Sequence, residues 1–383
     1  MSFTPALIAS QNGITLKNNR LDSLQVSRAI AAFLVVLYHL SLNSKIFLGY
    51  NFLHSLFLFG HNGVTFFFVL SGFIISYSHW DDIGGGYQNF AKYAFRRVTR
   101  IFPGYWPILI LVTFFYIYFS KYSYDHDYKV HITWSLFLKN FFLISYNQNP
   151  IVLVAWTLQY EMLFYLIFST LIISSDLGIS LLIVWFISIF FVNLGYFDTS
   201  SSSFIHFVCS YCSAQFLIGC CATFILRKWM KYIYAPKFIL GIGVLGFLLN
   251  GIIEDHYFTQ FNTTYRMALN TTYSFLIILS LVKIESIKKI QCSQWLVFLG
   301  AASYSMYLIH PILLSILFRC SQYIGGYQFP HIRFVFLAII ILLTCLAVPS
   351  LYYRLYELPM MNYLRAKFKK STLIDIQQQP ITW

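Results

Sequence analysis

The sequence predicts an all-α, polytopic integral membrane protein with about ten transmembrane helices, and three observations lead to this fold class. Of the 383 residues, 58% are hydrophobic and only 10% are charged, whereas soluble domains carry about 25% charged residues. Apolar runs of about 20 residues recur along the chain, and each is long enough to cross a hydrocarbon core of roughly 30 Å. The basic residues lie in short clusters between these runs rather than in one patch. This distribution is typical of membrane topology signals and argues against a nucleic-acid partner.

The apolar runs divide the chain into predicted membrane-spanning helices and connecting segments. We predict the spans at residues 25–46, 55–79, 101–120, 151–174, 178–197, 204–226, 238–254, 266–283, 295–318 and 332–353. Residues 131–148 are apolar but short and interrupted by Lys139, so we expect an interfacial or re-entrant segment there. We divide the chain into a polar N-terminal tail (1–20), one transmembrane domain (21–360) and a basic C-terminal tail (361–383).

The distribution of lysine and arginine predicts the orientation. If the N-terminus is inside, 19 of the 26 basic residues fall in cytoplasmic segments. Cytoplasmic loops of membrane proteins carry such an excess. Both termini are therefore predicted to be cytoplasmic.

Two titratable residues lie in the first predicted span, Arg28 and His39. Charged residues within a span cost roughly 2.5–3.5 kcal/mol each on insertion scales, so each requires an explanation. Eleven residues make about three helical turns, which places both side chains near one face, about 16 Å apart along the axis. Arg28 could instead extend to the headgroups, and His39 could satisfy a neighbouring carbonyl.

A cationic cluster and an intramembrane carboxylate follow. The segment 90–106, predicted to be a cytoplasmic loop, contains Arg96, Arg97 and Arg100. Guanidinium groups at this spacing suit the phosphates of an anionic substrate, although they could also determine topology or contact lipid phosphate. Glu161, in a predicted span, requires a cationic or hydrogen-bonding partner, and His39 is the expected one.

Three further motifs have both structural and functional readings. Ser71-Gly72, in GVTFFFVLSGF (63–73), could form a close helix–helix contact or part of a site. SYSMYLIHP (303–311) places Tyr304, Tyr307 and His310 on one helical face, where they could simply pack at the interface. Glu357, near several basic residues, is predicted to form a structural ion pair. Cys209 and Cys212 have a CxxC spacing with no second pair, so we expect no metal site.

Five of these motifs, taken in order, resemble those of the acyltransferase family 3 of membrane-bound O-acyltransferases, over roughly residues 20–360. They are Arg-x10-His in the first span, FFxxSGF, RxxR-I-x-P, WxLxxExxFY and SYxxYLxH. The resemblance implies transfer of an acyl group, usually acetyl from cytoplasmic acetyl-CoA, to a hydroxyl of an extracytoplasmic carbohydrate such as O-antigen or exopolysaccharide. Thr65 and Gly104 depart from the family pattern, at a usually acidic and a usually bulky position respectively. Because only about 30 residues follow the last span, we expect no fused hydrolase-like domain.

These observations give a set of expected roles in the bacterial inner membrane. We expect His39 to act as general base, assisted by Arg28 and Glu161, and Arg96, Arg97 and Arg100 to hold the phosphates of acetyl-CoA. Ser71, Tyr304, Tyr307 and His310 are the expected substrate-binding residues. A covalent acyl-histidine is an open alternative for the mechanism. A proton-coupled transporter and a partner-binding scaffold are alternative functions, but transporters commonly show repeats or broken helices that we do not find.

Overall fold

A computed structural model describes residues 21–50, 52, 56–120, 132–146, 148–197, 202–257, 263–325 and 331–378. These residues form helices and loops, with no β-strand among them. Ten helical segments in this part of the chain are long and apolar enough to cross a membrane. The predicted fold class, an all-α polytopic membrane protein, is confirmed.

Fourteen α-helices are found in the described residues. The first seven are α1 (Asp22–Leu48), α2 (Gly63–Ser78), α3 (Gly86–Ser120), α4 (Trp134–Phe141), α5 (Trp156–Ile173), α6 (Ser175–Asn193) and α7 (Ser203–Val208). The others are α8 (Tyr211–Trp229), α9 (Pro236–Tyr257), α10 (Thr263–Ile287), α11 (Gln294–Ala301), α12 (Ser303–Gly325), α13 (His331–Tyr352) and α14 (Leu358–Gln378).

Helix α1 is anchored at its beginning by a carboxylate from another helix. The buried side chain of Glu285, in α10, accepts hydrogen bonds from the backbone N–H groups of Asp22 (3.0 Å) and Ser23 (3.3 Å), and from the hydroxyl of Ser23. The first N–H groups of a helix have no partner within the helix, and an anion there also interacts favourably with the helix dipole. Glu285 therefore fixes the end of α1 nearest Arg28.

Helices α2 and α8 cross at two glycines. A Cβ atom on Gly72 would lie 2.0 Å from the carbonyl oxygen of Phe216, and one on Gly219 would lie 2.1 Å from that of Val69. Only glycine allows backbones to approach this closely. The interpretation of Gly72 as a close helix–helix contact is thus confirmed. Its neighbour Ser71 lines a cavity described below.

The segment predicted to be a basic loop is helical. Helix α3 begins at Gly86, about 15 residues before the predicted span, and it includes all three arginines of the cluster. Tyr93, Ile101 and Tyr105 are buried at helical spacing on one side of it. The apolar residues of this first half recur with a helical period between the charged ones, so an amphipathic helix extends the span that hydropathy alone detects.

The remaining differences concern the short helices and the C-terminal region. Among the described residues of the segment 131–148, the only helix is the eight-residue α4, which is not one of the ten spans. The predicted span 295–318 is interrupted at Ala302, between α11 and α12. Helix α13 continues through a π-helical turn (Tyr353–Glu357) into α14, so the segment predicted as a C-terminal tail is helical to residue 378.

Candidate active site

Residues of α1, α2, α3, α5, α12 and α14 line a cavity of about 190 Å³. Its lining combines apolar residues with most of the polar residues selected from the sequence. Eight of the ten predicted site residues line it: Arg28 from α1, Ser71 from α2, Arg96, Arg97 and Arg100 from α3, Glu161 from α5, and Tyr304 and Tyr307 from α12. The structure therefore brings together residues that are up to about 280 positions apart in the chain.

The three arginines of α3 have different environments. Arg96 is exposed, whereas Arg97 is partly buried, with its guanidinium carbon 5.9 Å and 5.7 Å from the ring centroids of Tyr93 and Tyr165. The Nε atom of Arg97 is buried and has no hydrogen-bond partner among the described residues. A partly buried guanidinium with a buried, unused N–H donor is suited to an anionic ligand, because an unsatisfied donor of a charged group costs free energy.

Arg100 forms an ion pair with Glu357. Its Nη1 atom is 2.8 Å from Oε1 of that carboxylate, which is fully buried. The hydroxyl of Ser305 donates to the other carboxylate oxygen, and the ring centroid of Tyr304 is 5.1 Å from the Arg100 guanidinium. The predicted ion pair of Glu357 is confirmed, and it compensates the charge of one arginine in the cluster.

Gly104, one of the departures from the family pattern, lies beside this ion pair. A Cβ atom at position 104 would be 2.9 Å from the ring of Tyr304 and 3.5 Å from the side chain of Glu357. The missing side chain thus leaves room for both. Thr65, the other departure, is buried and accepts a hydrogen bond from Gln215 (3.4 Å).

Glu161 has partners other than the expected one. Its carboxylate accepts hydrogen bonds from the hydroxyls of Ser71 (3.1 Å) and Tyr165. It makes no hydrogen bond to His39, so the expected contact between them is wrong. Position accounts for the difference, because Glu161 lines the same cavity as Arg28 and the α3 arginines while His39 does not.

His39 instead contacts His310. Its Nδ1 atom is 3.2 Å from Nε2 of His310, with the two ring centroids 4.9 Å apart. Neither histidine lines the cavity. Tyr307 does, and its ring centroid is 5.9 Å from that of His310. Tyr307 therefore contacts the histidine pair and also lines the cavity.

Neighbouring backbone carbonyl groups determine which nitrogen carries the hydrogen in the neutral rings of His310 and His39. His310 Nδ1 is 3.1 Å from the carbonyl oxygen of Met306, and His39 Nδ1 is 3.0 Å from that of Val35. A carbonyl can only accept, so both Nδ1 atoms carry hydrogen. His310 Nε2 is then an acceptor, and the Nδ1–H of His39 donates to it as well as to Val35. In a neutral His39 ring, the Nε2 atom is then unprotonated.

The hydroxyls of the two predicted substrate-binding tyrosines are engaged by backbone carbonyls. Tyr304 donates to Ile101 (2.8 Å) and Tyr307 to Val154 (3.5 Å), so the proton of each hydroxyl already has an acceptor. Arg28 donates from Nε to the buried hydroxyl of Ser303 (3.3 Å).

Sequence reasoning missed four polar residues of the cavity. They are Tyr165, Thr157, Ser303 and Arg365. Tyr165 could have been found, because it follows Glu161 by four residues on one helix face. Arg365 had no such signal, because it lies in a segment interpreted as a tail.

Comparison with known proteins identifies the family and several relatives of this chain. The acyltransferase domain of family 3 matches residues 21–349. A protein of Staphylococcus aureus (strain COL) named "Putative O-acetyltransferase" is 26% identical over 362 residues, which are 87% of this chain and 56% of that protein. A protein of the same name from strain N315 matches equally. An uncharacterized protein of Haemophilus influenzae is 34% identical over 118 residues, 28% of this chain and 47% of that protein.

The chain spans about half the length of these curated relatives. No solved structure matches it. The family match covers most of the chain and includes all ten predicted site residues, from Arg28 to His310. The chain therefore belongs to the acyltransferase family 3.

Proposed function

We propose that this protein transfers an acyl group, most simply acetyl, from cytoplasmic acyl-CoA to a hydroxyl of a cell-surface carbohydrate such as O-antigen or exopolysaccharide. The observation that carries the proposal is the cavity itself, which has arginines at one end and Tyr307, the neighbour of the histidine pair, in its wall. Family membership supports acyl transfer in general. The donor and the acceptor are inferred from the chemistry of the lining.

The arginine end suits the phosphates of CoA. Arg96 is exposed, so this end of the cavity opens to the protein surface. The basic asymmetry of the sequence assigns that surface to the cytoplasm, where acyl-CoA is available. Arg28 and His39 are about 16 Å apart along α1, a distance comparable with the length of an extended pantetheine arm. A donor held at the arginines would thus bring its thioester towards His39.

His39 supplies the base in the proposed reaction. Its Nε2 atom takes the proton of the acceptor hydroxyl while the hydroxyl oxygen attacks the thioester carbonyl carbon. The resulting tetrahedral intermediate then breaks its C–S bond. The CoA thiolate leaves and receives the proton from His39, which returns the ring to its starting state. If the acyl group passes first to His39, the same Nε2 atom is the nucleophile.

His310 would act through His39 rather than on the substrate. Its Nε2 atom accepts from the Nδ1–H of His39, which orients that ring and stabilises the imidazolium formed during proton transfer. We therefore assign His310 as a positioning residue, in place of the substrate-binding role expected from the sequence. A cation in this position would have the opposite effect, so His310 must remain neutral during turnover.

Arg28 and Glu161 are proposed to set the electrostatics between these two ends. Arg28 is a cation on the path from the phosphates to His39, where it can stabilise the oxyanion of the intermediate. Glu161 lines the same cavity and balances part of the arginine charge. Ser71 and Tyr165 both donate to Glu161, which keeps its carboxylate in place.

The test is acyl transfer by the wild-type chain and a His39→Ala variant. Mass spectrometry of surface glycans from cells with and without the gene should reveal the mass of an acetyl group only when the wild type is present. His39→Ala should remove this signal with normal membrane insertion. His206→Ala, which changes an exposed histidine of α7, is the matched control. Retained acetylation in His39→Ala would exclude the base, and proton-coupled uptake without CoA consumption would favour the transporter.

A further inference from the structure

Three arginines at the cavity mouth, Arg96, Arg97 and Arg365, differ from Arg100 in their partners. In the part of the chain that the structure describes, none of the three lies within ion-pair distance of an acidic side chain, whereas Arg100 does. Like charges placed together without counterions repel each other, so such a cluster is expected where an anion binds.

The three guanidinium groups lie at different depths. Arg97 is partly buried between Tyr93 and Tyr165, with its Nε unused by the described residues, whereas Arg96 and Arg365 are exposed. CoA carries its phosphates in a matching order. The pyrophosphate is joined to the pantetheine arm that enters the cavity, and the 3′-phosphate lies on the ribose at the opposite side. The deeper arginine therefore fits the pyrophosphate, and the two arginines at the surface fit the 3′-phosphate.

Arg365 reaches this position because α14 packs against α3. The ring of Phe368 stacks on that of Phe95, with centroids 3.9 Å apart and planes inclined by 13°. Phe368 follows Arg365 by three residues, about one helical turn, so this contact holds Arg365 near the α3 arginines. The Phe95–Phe368 stack thus gives an exposed arginine a defined place at the mouth.

We propose that Arg365, together with Arg96, forms a subsite for the 3′-phosphate of the CoA donor, separate from the pyrophosphate subsite at Arg97. This inference rests on the proposed function, because it names a feature of the same donor. The subsite makes the enzyme selective for CoA over dephospho-CoA, which is identical except for the 3′-phosphate. Arg365 is then a specificity-determining residue outside the arginine motif of α3.

The experiment compares the binding of CoA and dephospho-CoA to the full-length, detergent-purified chain. Arg365→Ala should weaken CoA binding about tenfold, the lower end expected for a charged hydrogen bond at an exposed position. It should leave the affinity for dephospho-CoA unchanged. Arg365→Lys should recover part of the loss, because an ammonium keeps the charge but lacks the paired N–H donors of a guanidinium. Lys367→Ala removes the same charge from a neighbouring exposed position that does not line the cavity, so both affinities should remain those of the wild type.

Three results would overturn the inference. An equal loss for both ligands in Arg365→Ala would indicate a general effect of charge or folding. Unchanged CoA affinity, together with loss of any effect of added phosphatidylglycerol, would assign Arg365 to lipid phosphate instead. If the wild type binds dephospho-CoA as tightly as CoA, no 3′-phosphate subsite exists. Failure of the wild type to bind CoA at all would reject the proposed function as well, so the two failures are distinguishable.

Discussion

The ion pair between Arg100 and Glu357 allows a test of whether Arg100 binds phosphate or stabilises the fold. Arg97 and Arg100 are three residues apart and would both be assigned to phosphate binding from the sequence. In the structure, however, Arg100 contacts a fully buried carboxylate that also accepts from Ser305. Replacing Arg100 with Ala leaves this carboxylate buried without its cation. Breaking a buried pair in this way typically costs about 3–5 kcal/mol.

Glu357→Gln, combined with replacement of Arg100, removes the buried negative charge that would otherwise lack a cation. An amide keeps a hydrogen-bonding side chain of nearly the same size and needs no cation. The double variant Arg100→Met, Glu357→Gln should therefore be considerably more stable than Arg100→Ala, because removal of both charges of a buried pair is often nearly neutral. Its affinity for CoA should remain within a few-fold of the wild type. Arg97→Ala should show the reverse, with normal stability and weaker CoA binding.

The assays are thermal unfolding in detergent and equilibrium binding of CoA, measured on the same preparations. Comparison of Arg100→Met and Glu357→Gln, each made alone, with the double variant gives the coupling free energy of the pair. Normal thermal stability of Arg100→Ala with a large loss of CoA affinity would refute this reasoning. Arg100 would then be a donor ligand, and the contact with Glu357 would contribute little to the fold.

Three further predictions follow from the hydrogen bonds and burial described above. His310→Ala should lower kcat about 10²-fold, because the ring of His39 loses its orienting acceptor, and should leave KM for acyl-CoA nearly unchanged; an unchanged kcat would contradict the positioning role. Glu285→Ala should destabilise the protein by about 0.5–2 kcal/mol, the usual cost of losing a helix cap, as measured by thermal unfolding. His79 follows the end of α2 and lies outside the membrane-spanning helices of the structure. It is almost fully buried, and burial lowers its pKa despite the opposing hydrogen bond to Asp82. Below about pH 6.5, the His79 ring therefore binds a proton more readily in the unfolded chain than in the folded one, so the free energy of unfolding should fall as the pH drops. His79→Gln should reduce this fall.

Much of the fold could be predicted because the bilayer imposes strong constraints on a sequence. The ten spans required only apolar runs of sufficient length, and the structure places a helix at each. The errors lie where amphipathic helices continue beyond the apolar runs. The first half of α3 and most of α14 carry charged residues between apolar ones, and a hydropathy criterion assigns both segments to loops or tails.

The candidate site was predictable for a different reason. Each intramembrane charge is costly, so residues such as Arg28 and Glu161 are conspicuous within an apolar run. Their partners were not predictable in the same way. The contact of His39 with His310 rather than Glu161 depends on how α1 packs against α12, and hydropathy carries no information on packing between helices.

The net positive charge around the cavity bears on how the proposed CoA donor would enter and how the CoA product would leave. Five guanidinium groups, from Arg28, Arg96, Arg97, Arg100 and Arg365, are accompanied by the carboxylates of Glu161 and Glu357. The excess of three positive charges nearly matches the charge of about −4 that one terminal phosphate and one pyrophosphate carry at neutral pH. Binding of the proposed CoA donor would therefore relieve repulsion among these cations and favour its entry from the side where Arg96 and Arg365 are exposed. In the proposed reaction, the free CoA product carries the same phosphates and would gain the same interactions. Release of CoA is therefore expected to be slower than release of a neutral product would be. It should accelerate with ionic strength, because salt screens the exposed arginines more than the partly buried Arg97.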